Sequence, residues 1–191
     1  LVDTYANIIL ITNPQSGTLA YDTTNGRLLV GNGTNWTTYP IGAATPASIL
    51  AFHATKNAVQ NLSATGVAKV YWTVETFDYG TCFAIDDGSH GATMSRFTPN
   101  VAGLYQFNAS LYYSSSTAMY CGILLYKNGT KLYTGSQATS AYNVSQIGVI
   151  AAANGSTDYF EIYSYISGSS NVIDIATNFA SYFCGYKIAN T

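Results

Sequence analysis

Charge is what this sequence has least of. Of its 191 residues, 7 are Lys or Arg and 9 are Asp or Glu, so 8% are charged, against about 25% in an ordinary soluble domain. Tyrosine, with 17 copies, and small polar residues take their place. Disorder is excluded because disordered chains are poor in aromatic residues. A neutral surface lacks the repulsion that keeps monomers apart, so the composition favours an oligomer. A neutral extracellular monomer is the alternative.

Two further absences exclude classes of partner. The net charge of −2 argues against nucleic acid, since phosphate binding needs clustered Lys and Arg. No run of about 18 apolar residues is present, so no membrane span is expected. The short run Ile8–Ile11 lacks a basic flank and is too short for a signal core. The start at Leu1 rather than Met is compatible with a processed or partial product.

Catalytic and redox patterns are also missing. Cys82, Cys121 and Cys184 form no CxxC pair, and an odd count cannot pair completely within one chain, so we interpret them as buried free thiols. His53 and His90 are the two histidines and show no metal-binding spacing. No G-x-S-x-G turn, phosphate-binding loop or G-x-G-x-x-G pattern occurs. An enzyme is therefore the least supported class.

Strand signals fill the chain. Short runs rich in Val, Ile, Tyr, Phe and Thr alternate with Gly, Asn, Asp and Ser, a pattern typical of an all-β sandwich, jelly roll or barrel. The small residues of a linker at 43–48 separate two regions. The first region, 1–42, is predicted to be a small β-meander with strands 18–21, 27–30 and 36–39, and Asn25-Gly26 as a type I′ turn. So small a core indicates that this region packs on something else.

The second region, 49–191, is predicted to be a larger β domain. Asn128-Gly129 and Asn154-Gly155 are each expected to turn a hairpin. Gly103 is expected in a tight turn, and Gly185 is expected to admit another backbone. The predicted strands lie near 49–55, 69–76, 80–85, 92–98, 103–113, 119–127, 131–134, 144–151, 157–166, 171–176 and 181–189.

The second region resembles the complement C1q globular-head family. Six segments in order carry the resemblance: Ala51–Ala54, Phe97–Pro99, Gly103–Phe107, Leu125–Gly129, Asn154–Ile162 and Tyr182–Ile188. The resemblance implies a C1q/TNF-like jelly-roll sandwich that assembles as a homotrimer around an apolar axis. Independently of the family, Tyr105 and Phe107 are expected to alternate inward on their strand.

Residues 1–42 resemble a small module of tailed-phage virion proteins, through Pro14–Tyr21, Leu28–Gly33 and Trp36. The two resemblances together imply a bacteriophage virion structural protein, exposed on the virion surface and joined to other virion proteins through residues 1–42. It would serve as a fibre or spike knob for host attachment or as a capsid decoration protein. The alternative is a secreted C1q-like module of a cellular organism that binds carbohydrate or protein.

One polar segment is a candidate metal site. Asp86 and Asp87, in the run that continues to His90, are candidate calcium ligands, because carboxylate oxygens suit calcium and the family binds calcium through acidic loops. A solvated turn is the favoured alternative, since Asp and Gly are typical turn residues. No other cofactor is expected.

Two tyrosine pairs are candidate binding surfaces. Tyr112-Tyr113 and Tyr163-Ser164-Tyr165 are suited to stacking on host surface glycans, because tyrosine makes large contacts at low entropic cost. The same residues are equally suited to line the seam of a trimer. The sequence leaves both possibilities open.

Overall fold

The structure is a computed structural model and describes residues 1–39, 50–62, 65–114, 120–140, 142–167, 171–173 and 181–190. The chain forms two compact units, Leu1–Ser48 and Ile49–Thr191. The predicted linker at 43–48 lies outside the described residues. No helix among the described residues is long and apolar enough to cross a bilayer.

The first unit is a four-stranded sheet with one short helix. The predicted strands are confirmed, and the sequence pattern missed the short β1 and α1. Alternation along β2 and β3 buries Ala20 and Leu29 on one face, where Ile8 and Trp36 pack against them. The sheet order is β1-β2-β3-β4, and the elements are β1 (Val2–Asp3), α1 (Tyr5–Ile8), β2 (Leu19–Asp22), β3 (Arg27–Gly31) and β4 (Trp36–Tyr39).

The turn between β2 and β3 differs from the prediction. Asp22 pairs with Arg27 across the hairpin, so the loop has four residues, whereas a type I′ turn has two. Gly26 has φ of 62° but Asn25 is not left-handed, which a type I′ turn requires. The buried Asp22 carboxylate decides this geometry, because it accepts hydrogen bonds from the backbone N–H groups of Thr24 and Asn25.

The second unit is a sandwich of two antiparallel sheets. In the described residues a six-stranded sheet has the order β13-β12-β15-β10-β9, with β7 also on β15. A seven-stranded sheet has the order β6-β16-β11-β17-β5-β8, with β14 also on β11. The strands are β5 (Ala51–Thr55), β6 (Gln60–Leu62), β7 (Gly66–Lys69), β8 (Val74–Tyr79), β9 (Phe83–Ala84), β10 (Arg96–Phe97), β11 (Ala102–Ser114), β12 (Tyr120–Lys127), β13 (Thr130–Ala138), β14 (Tyr142–Asn154), β15 (Phe160–Ser167), β16 (Asn171–Ile173) and β17 (Tyr182–Ala189).

Aromatic rings fill the space between the two sheets. Phe52 stacks on Phe83 at 4.7 Å and on Phe97 at 4.6 Å between ring centroids. Phe107 lies 4.5 Å from Phe160, which comes from the opposite sheet. Such ring pairs contribute about 0.5–1.5 kcal/mol each beyond the area they bury. The predicted inward alternation of Tyr105 and Phe107 is confirmed, since both are fully buried.

Several strand predictions need correction. The strand expected at 69–76 is two strands, β7 and β8, because residues 70–73 cross from one sheet to the other. Asn154-Gly155 does not turn a hairpin: β14 pairs with β11 in one sheet, whereas β15 belongs to the other. The Asn154 side chain instead accepts the N–H groups of the crossing loop. Asn128-Gly129 does form the expected two-residue turn, with both φ angles positive.

Gly103 and Gly185 each have a role other than the one expected of them. Gly103 lies within β11, and a Cβ there would stand 2.4 Å from the Ala189 carbonyl oxygen, so this glycine admits a backbone. A Cβ on Gly185 would meet ring atoms of Phe107 at 2.7 Å and of Phe52 at 2.9 Å. Gly185 therefore makes room for core aromatic rings, which both lie on the strands flanking β17.

We predict that Gly185→Ala lowers the free energy of unfolding by about 1–3 kcal/mol, because the added methyl group overpacks a close-packed core. Gly91→Ala is the control: its Cβ would lie 3.4 Å from Met94 Cγ, an ordinary contact. Chemical denaturation monitored by tyrosine fluorescence measures both variants. Equal stability of the two variants would contradict the role assigned to Gly185.

Candidate functional site

Among the described residues, the outward side of the seven-stranded sheet carries a broad surface without charged side chains, here called the neutral face. Cross-strand pairing aligns Gly148, Asn108, Cys184, His53 and Phe77 in one row across five strands. A second row runs through Ile150, Gln106, Tyr186, Ala51 and Tyr79. The face is completed by Leu104, Tyr112, Val144, Gln146 and Tyr182, so none of its residues is Lys, Arg, Asp or Glu.

Aromatic stacking organises one half of the neutral face. The His53 ring lies 5.9 Å from the rings of both Phe77 and Tyr182. Its Nδ1 is 3.0 Å from the Thr76 hydroxyl. Burial lowers the pKa of His53 and raises the pKa of the Cys184 thiol. Both groups are therefore neutral at pH 7, and the face carries no charge there.

The neutral face has the composition of a protein interface. The centre of such interfaces is depleted in charge and enriched in aromatic residues, and Tyr79, Ile150 and Tyr186 are about half exposed in the single chain. Contiguous apolar exposure of this kind marks interaction sites. The arrangement can bury apolar area against a partner without removing any charge from water.

The two tyrosine pairs separate. Tyr112 lies on the neutral face, whereas Tyr113 is in the core, where its hydroxyl donates to the Gly122 carbonyl oxygen at 2.9 Å. Tyr163 and Tyr165 lie on the outward side of the other sheet. Strand alternation explains the split, and the two candidate surfaces face away from each other.

The calcium candidates Asp86 and Asp87 bind within their own loop. Asp86 is buried and its Oδ1 accepts the His90 backbone N–H at 3.0 Å, while its Oδ2 lies 2.7 Å from His90 Nδ1. The His90 ring stacks on Tyr71 at 4.2 Å. Asp87 is exposed, and hydrogen bonds from Ser89 lower the pKa of its carboxyl group.

These two residues fit calcium poorly. Both oxygens of Asp86 already have partners, and calcium needs six to eight oxygen ligands. Among the described residues no group of three or more His, Cys, Asp and Glu side chains is placed to hold a metal ion. The loop is closed by its own hydrogen bonds, so we favour the solvated turn over calcium binding at Asp86 and Asp87.

The cysteines are free thiols. Cys82 and Cys121 are buried as predicted, and burial raises the pKa of each. Cys184 is only half buried, because it faces outward on β17 and belongs to the neutral face.

A buried ion cluster was not predicted from the sequence. Glu161 is 2% exposed, and its Oε1 accepts from Lys69 Nζ at 2.7 Å and from Arg96 Nε at 3.0 Å. Both cations also donate to the Ala92 carbonyl oxygen. The Arg96 guanidinium lies 3.6 Å from the Tyr159 ring centroid. The partners are 92 and 65 positions apart along the chain, so no local motif indicates the cluster.

Solved structures of similar fold come from several animals. Murine APRIL is 10% identical with a TM-score of 0.54, covering 73% of this chain and 99% of that chain. The globular domain of zebrafish complement 1qA protein is 16% identical with a TM-score of 0.51, covering 74% and 98%. Eiger TNF from S. frugiperda is 12% identical with a TM-score of 0.51, covering 75% and 95%.

These similarities confirm the predicted fold class. The second unit is a C1q/TNF-like jelly-roll sandwich, and trimeric assembly is typical of this fold. No protein-family model and no curated protein sequence matches the chain. At such low identity the similarity shows the fold alone.

We predict that calcium leaves the melting temperature unchanged, because Asp86 is occupied by His90 and Asp87 is a solvated turn residue. If calcium did bind, a free calcium concentration a hundred times the dissociation constant would raise the free energy of unfolding by about 2.7 kcal/mol. Differential scanning fluorimetry with millimolar calcium, and again with chelator, measures the difference. A rise of several degrees that Asp87→Ala abolishes would establish the metal site instead.

Proposed function

We propose that this chain is a non-enzymatic structural protein of a bacteriophage virion, displayed on the virion surface as a homotrimer. It serves as a fibre or spike knob for host attachment or as a capsid decoration protein. The observation that carries the proposal is the neutral face. A surface so broad and free of charge suits contact with further copies of the same chain.

Association through the neutral face costs little desolvation. Burying an unpaired charge costs several kcal/mol, and this face presents none at neutral pH. Homo-oligomers use closed symmetry, in which each copy contributes the same surfaces. A threefold axis is the arrangement typical of the fold. The low overall charge of the chain supports the same assembly, because little repulsion opposes it.

The carboxylates of the second unit support a non-enzymatic role. Asp158 is paired with Lys127 at 2.9 Å and also accepts from Asn128 at 2.7 Å. Desolvation would raise the pKa of Asp158, but these hydrogen bonds outweigh it and lower the pKa. Glu161 and Asp86 are saturated in the same manner. These buried acids therefore act as structural ties, with little freedom to exchange protons with a substrate.

The first unit supports attachment to a larger structure. One face of its sheet covers the small core, and the other leaves Leu19, Leu28 and Val30 around an open hollow of about 420 Å³. Leu19 is 55% exposed. A core of so few side chains contributes little stability alone. We propose that other virion proteins cover this face.

We predict that Ile150→Lys dissociates the trimer, because three ammonium groups would be buried in the interface without partners. Val67→Lys is a matched control, since both side chains are about half exposed but Val67 lies on the other sheet. Light scattering at micromolar concentration should give a trimer mass for the control and a monomer mass near 20.4 kDa for the variant. A monomeric wild-type protein would refute the assembly.

We predict that deleting residues 1–42 leaves the second unit folded and trimeric but absent from virions. The second unit has its own core, so circular dichroism should remain that of a β protein. Negative-stain microscopy of purified virions with a labelled antibody measures incorporation. A label at fibre tips identifies a knob, and a label across the capsid identifies a decoration protein.

Normal incorporation of the truncated chain would contradict the attachment role. Absence of the full-length chain from every virion would contradict the virion role and favour the secreted module of a cellular organism.

A further inference from the structure

Four tyrosines lie together on the outward side of the six-stranded sheet. Tyr120 and Tyr126 come from β12, and Tyr163 and Tyr165 come from the adjacent β15. Tyr126 stacks on Tyr163 at 4.1 Å, and Tyr120 meets Tyr165 edge to face at 5.7 Å. This is an aromatic surface on the opposite sheet from the neutral face.

Three of these tyrosines, Tyr120, Tyr126 and Tyr165, line a groove of about 400 Å³, here called the tyrosine groove. Gly122 faces outward between Gln137 and Tyr165 in the strand register, and a Cβ there would lie 3.1 Å from Gln137 Cγ. Leu124 lies between the walls and is only 5% exposed. The volume falls within the range of roughly 300–1,000 Å³ that small-molecule sites have.

The polar groups of the tyrosine groove stand on one wall. Thr134 and Gln137 come from β13, and the Tyr120 hydroxyl is hydrogen-bonded to the Gln137 side chain. The groove therefore offers apolar ring faces on one side and uncharged hydrogen-bonding groups on the other. A pyranose ring presents the complementary pair, a face of C–H groups and a rim of hydroxyls.

Lys131 adds a positive charge at the same wall. Four other cations are tied to carboxylates: Arg27, Lys69, Arg96 and Lys127. Lys56 and Lys187 donate to oxygens of neighbouring residues. Within the described part of the chain, Lys131 is exposed and has no hydrogen-bonding or ionic partner. A cation left free at a binding groove attracts an anionic group of the ligand.

We infer that the tyrosine groove binds an acidic saccharide, with the sugar ring against Tyr165 and Tyr126 and the sugar carboxylate at Lys131. A protein partner suits the groove less, because a stable protein interface needs about 800 Å² from each side. The inference rests on the proposed attachment role for its biological purpose only. Binding itself needs neither a trimer nor a virion.

The full chain in solution is tested on a glycan array carrying oligogalacturonate, hyaluronan tetrasaccharide and 3′-sialyllactose, with lactose and maltotetraose as neutral probes. The best acidic probe is then titrated by calorimetry. We expect at least one acidic probe to bind more tightly than both neutral probes. Tyr165→Ala should weaken binding about tenfold, which corresponds to about 1.4 kcal/mol and lies within the roughly 0.5–1.5 kcal/mol that a stacked ring contributes.

Lys131→Gln should remove the preference for acidic over neutral probes. It alters an exposed residue, so its result does not depend on whether Tyr165→Ala folds. Tyr133→Ala and Lys187→Gln are the matched controls: neither residue lines the groove, and both variants should bind like the wild type.

The inference would be overturned if the folded wild-type protein bound none of the probes. It would also be overturned if neither Tyr165→Ala nor Lys131→Gln changed the binding. Equal affinity for acidic and neutral probes would overturn the acidic assignment. Because these measurements use soluble protein, their failure is distinguishable from failure of the virion role, which is measured on particles.

Discussion

The six-stranded sheet depends on the ion pairs that the buried Glu161 carboxylate makes with Lys69 and Arg96. Glu161 lies on β15, which pairs with β12, β10 and β7, and its ion pairs reach Lys69 on β7 and Arg96 on β10. The β10 strand is two residues long and has few backbone hydrogen bonds of its own. Removing one partner of such a buried cluster costs about 3–5 kcal/mol, since the remaining charges are left unpaired. These ion pairs therefore hold β7 and β10 against β15 in addition to the backbone hydrogen bonds.

Like Glu161, the other buried acidic residues of this weakly charged chain have structural roles. Asp22, Asp86, Asp158 and Glu161 are all buried and hydrogen-bonded. Each fixes a turn or joins elements that are distant in sequence. Because these four acids are used inside the fold, none of them lies on the neutral face, which stays suited to association.

Local sequence patterns correctly predicted the features that depend on neighbouring residues alone, namely strand alternation and one tight turn. Alternation placed Tyr105 and Phe107 in the core, and Asn128-Gly129 formed its turn because both residues tolerate positive φ. The same Asn-Gly signal was wrong at Asn154-Gly155. There the chain crosses to the other sheet instead of forming a hairpin, because β14 pairs with β11 and β15 pairs with β12, and β11 and β12 lie far from this turn in sequence. The Glu161 cluster was invisible for the same reason. At Gly185 the sequence indicated that another group approaches closely, but it did not show that this group is the rings of Phe107 and Phe52 on the two neighbouring strands.

The candidate surfaces show the same limit. Alternation alone requires that Tyr112 and Tyr113 point to opposite sides of β11, yet only the topology decides which side is outward. It also places Tyr163 and Tyr165 on the opposite sheet from Tyr112. A single tyrosine-rich composition therefore forms two surfaces of different character. The neutral face is suited to burial against identical copies, and the outward side of the other sheet carries the concave tyrosine groove with Lys131 at its wall. Because the two lie on opposite sheets, association through one does not compete with ligand binding at the other.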